Sequence, residues 1–171
     1  VTEVGAGAGA GAGAGDGAGA PVPVPVPVAG ASGVLADGYR LVVGPPPLDD
    51  YLRLRRDSGL SPKDAAQGAG AIAGSWSAVH VVDTDGVPVA MGRTIGDGGW
   101  YFHIADIATD PDHQRRGLGR VVVEWLVADI RSRAPEGAYI TLVGDPPGQR
   151  LYRSLGFEDV APSLGMALPL R

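Results

Sequence analysis

Cysteine is absent from the chain. Disulfides, thiolate metal sites and cysteine nucleophiles are therefore excluded, and a reducing compartment fits. Lysine is nearly absent as well: Lys63 stands alone among 14 basic residues, the rest being arginine. No base precedes Arg40, whereas Glu3, Asp16 and Asp37 are acidic. The first segment therefore reads as neither a secretory signal, which opens on basic residues, nor an arginine-rich transit peptide. The uncharged run Gly17–Ala36 is about as long as a membrane span. Its alternating prolines at 21, 23, 25 and 27 break any helix there, so no membrane association is expected. The net charge of −5 relaxes beyond Gly38, where 14 bases face 16 acids. A general nucleic-acid binder needs a basic surplus, and this chain has none.

What the chain has in excess is glycine and proline, 28 and 15 of its 171 residues. Residues 1–37 hold ten of the glycines and four of the prolines, as Gly-Ala alternation followed by four Pro-Val repeats. Such side chains cannot offset the entropy of ordering, so this low-complexity tail is expected to be disordered rather than stacked like silk. The remaining 134 residues, Gly38–Arg171, suffice for one hydrophobic core and form the expected domain.

Within that domain the hydrophobic period changes repeatedly. Gly38–Val43 reads as a strand, ended by Gly44 and three prolines. Leu48–Asp57 has helical spacing, with Arg53, Arg55 and Arg56 assigned to its outer side. A second helix is expected from Ser61-Pro62, an N-cap with proline after it, to about Ala73, weakened by Gly68 and Gly70. Trp76–Val82, Val87–Ile95 and Trp100–Thr109 are strands joined by Asp/Gly turns, an antiparallel meander. Gly117–Arg133 is a long amphipathic helix, Ala138–Val143 an apolar strand, and Gln149–Leu155 a short helix closed by Gly156. Phe157–Val160 and Met166–Leu170 are read as final strands. The fold class is α+β with a mixed sheet: a meander, then strand–helix–strand.

The segment Asp110–Arg120 opens the long helix. A helix start leaves unpaired N–H groups and a positive dipole end, Gly117 and Gly119 remove obstructing Cβ atoms, and Arg115, Arg116 and Arg120 add charge. This suits a diphosphate. A Walker loop would need Lys-Ser or Lys-Thr after the glycines, and a dinucleotide fingerprint would need a small residue where Val122 stands. Gln114-Arg-Arg-Gly117-Leu-Gly119 instead resembles the Gln-x-x-Gly-x-Gly loop of the GNAT N-acetyltransferases. Leu151-Tyr152-Arg-Ser-Leu-Gly156-Phe157 resembles their Leu-Tyr-x-x-x-Gly-Phe motif, and the element order over Gly38–Arg171 agrees.

The resemblance implies acetyl transfer from acetyl-CoA to a primary amine, with the diphosphate held by Gln114, Arg115, Arg116, Gly117, Leu118, Gly119 and Arg120. It implies a bulge in the preceding strand, with Ile107, Ala108 and Thr109 facing the thioester and pantetheine. An alkylamine is mostly ammonium at neutral pH, so a proton acceptor is needed. By position His103 matches the base of histone-type and arylalkylamine-type members; packed and hydrogen-bonded histidine is the competing reading. Asp106 either relays a proton and holds the ammonium, or pairs with an arginine. The two should face opposite sides of the strand unless a bulge intervenes. Tyr152 matches the family's acid for the leaving thiolate, against a packing role. Direct attack in a ternary complex is expected, and without cysteine an acyl-cysteine intermediate is excluded. Arylalkylamines or polyamines are favoured as acceptors, with carboxylates at Asp97 and Asp106 in mind. A protein lysine or N-terminus, a non-catalytic acyl-CoA-binding module and a nicotinamide enzyme are the alternatives. The expected setting is cytoplasmic, without metal, nucleic acid or membrane, and with a homodimer left open.

Overall fold

The computed structural model describes residues 35–168. The expected tail over 1–37 falls, except for its last three residues, outside them. Leu35 already packs against the core. Strands β1 (Arg40–Val43), β2 (Ser77–Val82), β3 (Pro88–Gly96), β4 (Tyr101–Thr109) and β5 (Tyr139–Leu142) form one sheet in sequence order. The first four pair antiparallel and β5 runs parallel to β4, after the crossover helix α3 (Leu118–Arg133).

The sheet separates two helical layers. On one face α3 buries Leu118, Val122, Leu126 and Ile130 against Val79, Val81, Phe102 and Ile104. Trp76 joins that face, stacked edge-on to Phe102. On the other face α1 (Leu48–Asp57) sets Tyr51 and Leu54 against Met91 and Ala108. Helix α2 (Ala65–Ala73) packs on α1 at Gly68, where a Cβ would lie 2.9 Å from the Leu48 and Leu52 methyls. The glycine that weakens the isolated helix thus permits the close crossing.

Several sequence expectations are corrected. Helix α2 starts at Ala65, because Asp64 and Gln67 form a reciprocal capping box. Ser61 instead offers its carbonyl and hydroxyl to Arg55. Arg55 is buried, not outward: it lies one turn beyond Tyr51, on the same stripe. Helix α4 (Pro146–Ser154), with Asp145 at its N-cap, begins three residues before the expected start. Phe157–Val160 is not a strand. Phe157 N–H bonds to the Tyr152 carbonyl and Gly156 N–H to the Arg153 carbonyl, the paired bonds of a Schellman cap. Its ring rests edge-on to Tyr152, so the residue that looked like a strand start finishes a helix. Residues 166–168 have no ladder partner either, and the rest of that expected strand is outside the described residues.

Candidate active site

The start of α3 is open in the way the loop composition suggests. Gly117 is its N-cap, left-handed at φ +81°, and no side chain caps the helix. The first intrahelical bond is Val121 N–H to the Gly117 carbonyl. Among the described residues the N–H groups of Leu118, Gly119 and Arg120 therefore have no partner at the positive dipole end. Arg115 precedes them at φ +60°, an uncommon backbone for a residue with a Cβ. The Gln114 amide donates to the Thr109 carbonyl at 3.3 Å and ties the loop to the end of β4. A Cβ on Gly119 would sit 3.6 Å from both Thr109 Oγ1 and Leu151 Cδ2, so β4, α3 and α4 (Pro146–Ser154) meet here.

Strand β4 leads into this junction alone. Its pairing with β5 stops at Ile104 and Leu142, yet β4 continues to Thr109. Among the described residues, Ala105–Thr109 thus have no strand partner on that side. The register against β3 also slips: Met91 faces Ala108 and Arg93 faces Ala105, so β4 carries one extra residue. The bulge is at Asp106, whose φ is +57°. Gly92 makes room for it, since a Cβ there would lie 2.5 Å from Ile107 Cδ1. The bulge brings Asp106 onto the same sheet face as His103. It also turns Ile107 toward α3, leaves Ala108 buried under α1, and aims Thr109 at Gly119.

Asp106 is fully engaged. One carboxylate oxygen accepts from Arg55; the other accepts from Arg93 Nε and Tyr51 hydroxyl, each at 2.5 Å. Burial pushes this carboxyl up, but the bonds from Tyr51 and Arg93 and the two guanidinium charges outweigh it, so its pKa lies below the usual value. Burial and Asp106 together raise the Tyr51 phenol. Arg55 and Arg93 are site residues that the sequence reading missed; only the four-residue spacing of Tyr51 and Arg55 hinted at the first.

His103 is half-buried, with Nδ1 2.9 Å from Thr141 Oγ1. The Thr141 hydroxyl has an acceptor in the Phe102 carbonyl at 3.3 Å and a neighbour in the Tyr101 hydroxyl at 3.1 Å. If the threonine spends its hydrogen there, it accepts from His103 Nδ1–H and leaves Nε2 as the free lone pair. Burial first, then the Arg93 charge, lower the imidazole's pKa, and Asp106 partly offsets them. The ring is therefore neutral at pH 7. Tyr101 and Tyr139 lie beside it on the same face, ring centres 5.8 Å apart and both exposed. Asp97 is spent on its own turn, accepting from the N–H groups of Gly99, Trp100 and Tyr101. These bonds, led by Gly99, hold its carboxyl below its ordinary value.

Tyr152 shares no hydrogen bond with His103 or Asp106 among the described residues. It lines a cavity of about 400 Å³ with Leu142, Gly144 and Phe157, which neither of those residues borders. Its helix neighbours Leu151 and Ser154 reach the α3 start, beside Gly119 and Arg120. The ring lies over Gly148, where a Cβ would come within 2.7 Å. Among the described residues the hydroxyl has no hydrogen-bond partner. Burial, helped by the Asp145 charge, raises its pKa, so the phenol keeps its proton through neutral pH. Tyr152→Phe should accordingly leave the melting temperature nearly unchanged, because no bond is lost. If the phenol protonates the leaving thiolate, kcat should fall by about 10²-fold. Steady-state kinetics beside a thermal melt decide; wild-type kcat would return Tyr152 to the cap it shares with Phe157.

A cavity of about 820 Å³ runs along the edge of β5 away from β4, beside Ile130, Leu155 and Phe157. It contains none of the loop or bulge residues.

A family profile described as an acetyltransferase (GNAT) domain matches residues 75–159. Rice serotonin N-acetyltransferase 2, chloroplastic, is 38% identical over 82 residues, 48% of this chain and 40% of that protein. The Salmonella typhimurium ribosomal protein bS18-alanine N-acetyltransferase is 38% identical over 55 residues, 32% of this chain and 37% of that one. The chain thus spans well under two thirds of these curated relatives. A probable acetyltransferase of unknown function from meticillin-resistant Staphylococcus aureus superposes with a TM-score of 0.73 at 32% identity, covering 77% of this chain and 99% of that one. With the loop, the bulged strand and the parted β4–β5 pair in place, the chain belongs to the GNAT acetyltransferase family.

Proposed function

We propose that the protein is an acetyl-CoA-dependent N-acetyltransferase that acetylates a small primary amine by direct attack. The observation that carries this is the junction where β4 leaves β5 beside the uncapped start of α3, with His103 on the adjoining sheet face. The unpaired N–H groups of Leu118, Gly119 and Arg120 and the guanidinium of Arg115 fit a diphosphate. Gln114, Arg116 and Gly117 shape that loop, and Ile107, Ala108 and Thr109 present backbone groups along the parted strand. Acetyl-CoA supplies an activated acyl carbon. His103 Nε2 takes the proton from the attacking amine as C–N forms and C–S breaks, and the Tyr152 phenol is the proton source for the departing sulfur. Asp106 acts through His103 and the bulge, not on the substrate.

Of the acceptors, an arylalkylamine is favoured over a polyamine. Both carboxylates that would attract a polyamine are engaged, Asp106 by arginines and Asp97 by its turn. The exposed Tyr101 and Tyr139 rings next to His103 offer an aromatic face instead. A cytoplasmic setting belongs to this proposal; among the described residues no helix is long and apolar enough to cross a membrane.

Calorimetry with acetyl-CoA, with NADH as control, tests the donor. An amine panel including arylalkylamines, polyamines and an alanine-terminated peptide then tests the acceptor. Acetyl-CoA binding with turnover of an aromatic amine is expected. Binding without turnover of any amine would make the fold an acyl-CoA-binding module, and no binding would overturn the reading. The pH profile of kcat/KM should show an acid limb below the ordinary histidine value, about 6.5, lost in His103→Gln.

A further inference from the structure

The three loop arginines are not equivalent. Arg120 is committed to Glu124 at 3.3 Å and to the Ser154 hydroxyl at 2.6 Å. Arg116 points back to the N-terminal side of β1. Its Nη1 donates to the Tyr39 hydroxyl at 2.6 Å, and its Nη2 donates to the Asp112 carbonyl at 3.1 Å. Its guanidinium also stands 6.0 Å from the Tyr39 ring centre. Arg115 has no polar partner among the described residues.

A guanidinium can only donate, so the Tyr39 oxygen accepts from Arg116. The phenol hydrogen is then free for His113 Nδ1, 2.9 Å away. The Tyr39 and His113 rings also meet edge-on at 5.8 Å. One side chain, 77 residues from Arg116 in sequence, thus holds both sides of the turn that carries Arg115 at positive φ. That backbone is unfavourable for arginine and persists only where its surroundings fix it.

We propose that Tyr39 is the positioning residue of the donor loop. Through Arg116 and His113 it fixes the turn that presents Arg115 and the first N–H groups of α3, and Arg116 acts through this clamp rather than on the donor. The inference rests on reading the α3 start as the acetyl-CoA site.

The test compares wild type with Tyr39→Phe, Arg116→Ala, the double variant and Arg115→Ala in the full chain. Calorimetric affinity for acetyl-CoA should fall about tenfold in Tyr39→Phe, the scale of one lost charge-assisted bond. Arg116→Ala should lose a similar factor, and the double variant no more than the worse single one. Arg115→Ala should instead weaken the salt dependence of binding, which Tyr39→Phe leaves alone. Tyr39→Phe should raise the KM for acetyl-CoA without changing kcat or the KM for amine. Without any ligand, trypsin should cleave after Arg115 faster in Tyr39→Phe, as read by mass spectrometry.

Additive losses in the double variant would make Arg116 a direct donor ligand and overturn the proposal. Unchanged affinity and cleavage in Tyr39→Phe would overturn it equally. Wild type that fails to bind acetyl-CoA would instead remove the functional reading, while the cleavage rates still report on the clamp.

Discussion

Asp106→Ala is expected to destabilise the fold by about 3–5 kcal/mol, the usual loss when one partner of a buried ion pair is removed. The reason is what stays behind. Arg55 on α1 and Arg93 on β3 have side chains only 8% and 15% exposed, so neither guanidinium finds ready solvation once its carboxylate is gone. A domain of this kind has about 5–15 kcal/mol in hand, so the melting temperature should drop by roughly 10–20 °C. The same ion pair gives a sign to the acid response. Because the folded carboxyl titrates below its ordinary value, its contribution is complete above the unfolded value of about 3.9 and is lost as pH falls through the folded one. Wild type should therefore lose stability below about pH 4 more steeply than Asp106→Asn, which has no proton to take up there. Thermal melts from acid to neutral pH check both statements, and an alanine variant that melts with wild type would sink the first. Both Asp106 oxygens are occupied, so Asp106→Asn should keep its plateau kcat well below melting. Its acid limb should move to lower pH, because the charge that holds the His103 pKa up is gone. A collapse of kcat in a folded Asp106→Asn would put Asp106 back in the proton chemistry.

What the sequence disclosed and what it hid divide along a physical line. The meander was legible because its turns are local: Asp83 and Asp97 each accept N–H bonds from the residues just after them. The α3 start was legible because a helix terminus and its glycines are set within a few residues. The bulge was expected only through the family resemblance, and its position at Asp106 was not legible, because it exists only as a mismatch between β3 and β4. That mismatch decides that His103 and Asp106 share a face, which alternation alone would forbid. The Asp106 ion pairs and the Tyr39 clamp join residues 51, 13, 74 and 77 positions apart, and no pattern in one sequence announces such pairs. The end of the chain failed for a different reason. The Tyr152-to-Phe157 spacing is that of a helix cap, so an apolar residue that resembles a strand start had a local use.

Gly119→Val is expected to raise the KM for acetyl-CoA by about 30–100-fold while the KM for amine stays put, as losing one or two bonds to a charged diphosphate would. The two loop glycines make this test clean because they are needed for different reasons. At Gly117 a Cβ would meet nothing within 4 Å, but φ is +81°, so a substitution there strains the backbone by about 1–2 kcal/mol and shifts the helix start. At Gly119 no positive φ is required, and a Cβ would touch Thr109 Oγ1 and Leu151 Cδ2 at 3.6 Å, an ordinary contact. A side chain at 119 thus costs the fold little and acts mainly on whatever approaches the N–H groups around it. Gly119→Ala should melt at or above the wild-type temperature, since alanine is the better helix former. Gly117→Ala should melt lower and lose donor affinity through geometry. If Gly119→Val folds and its donor KM is unmoved, the start of α3 does not hold the diphosphate. If amine and donor KM rise together, the valine has displaced α4 through Leu151 instead. A donor-only effect at 119, beside a mixed effect of stability and binding at 117, is the outcome that the geometry predicts.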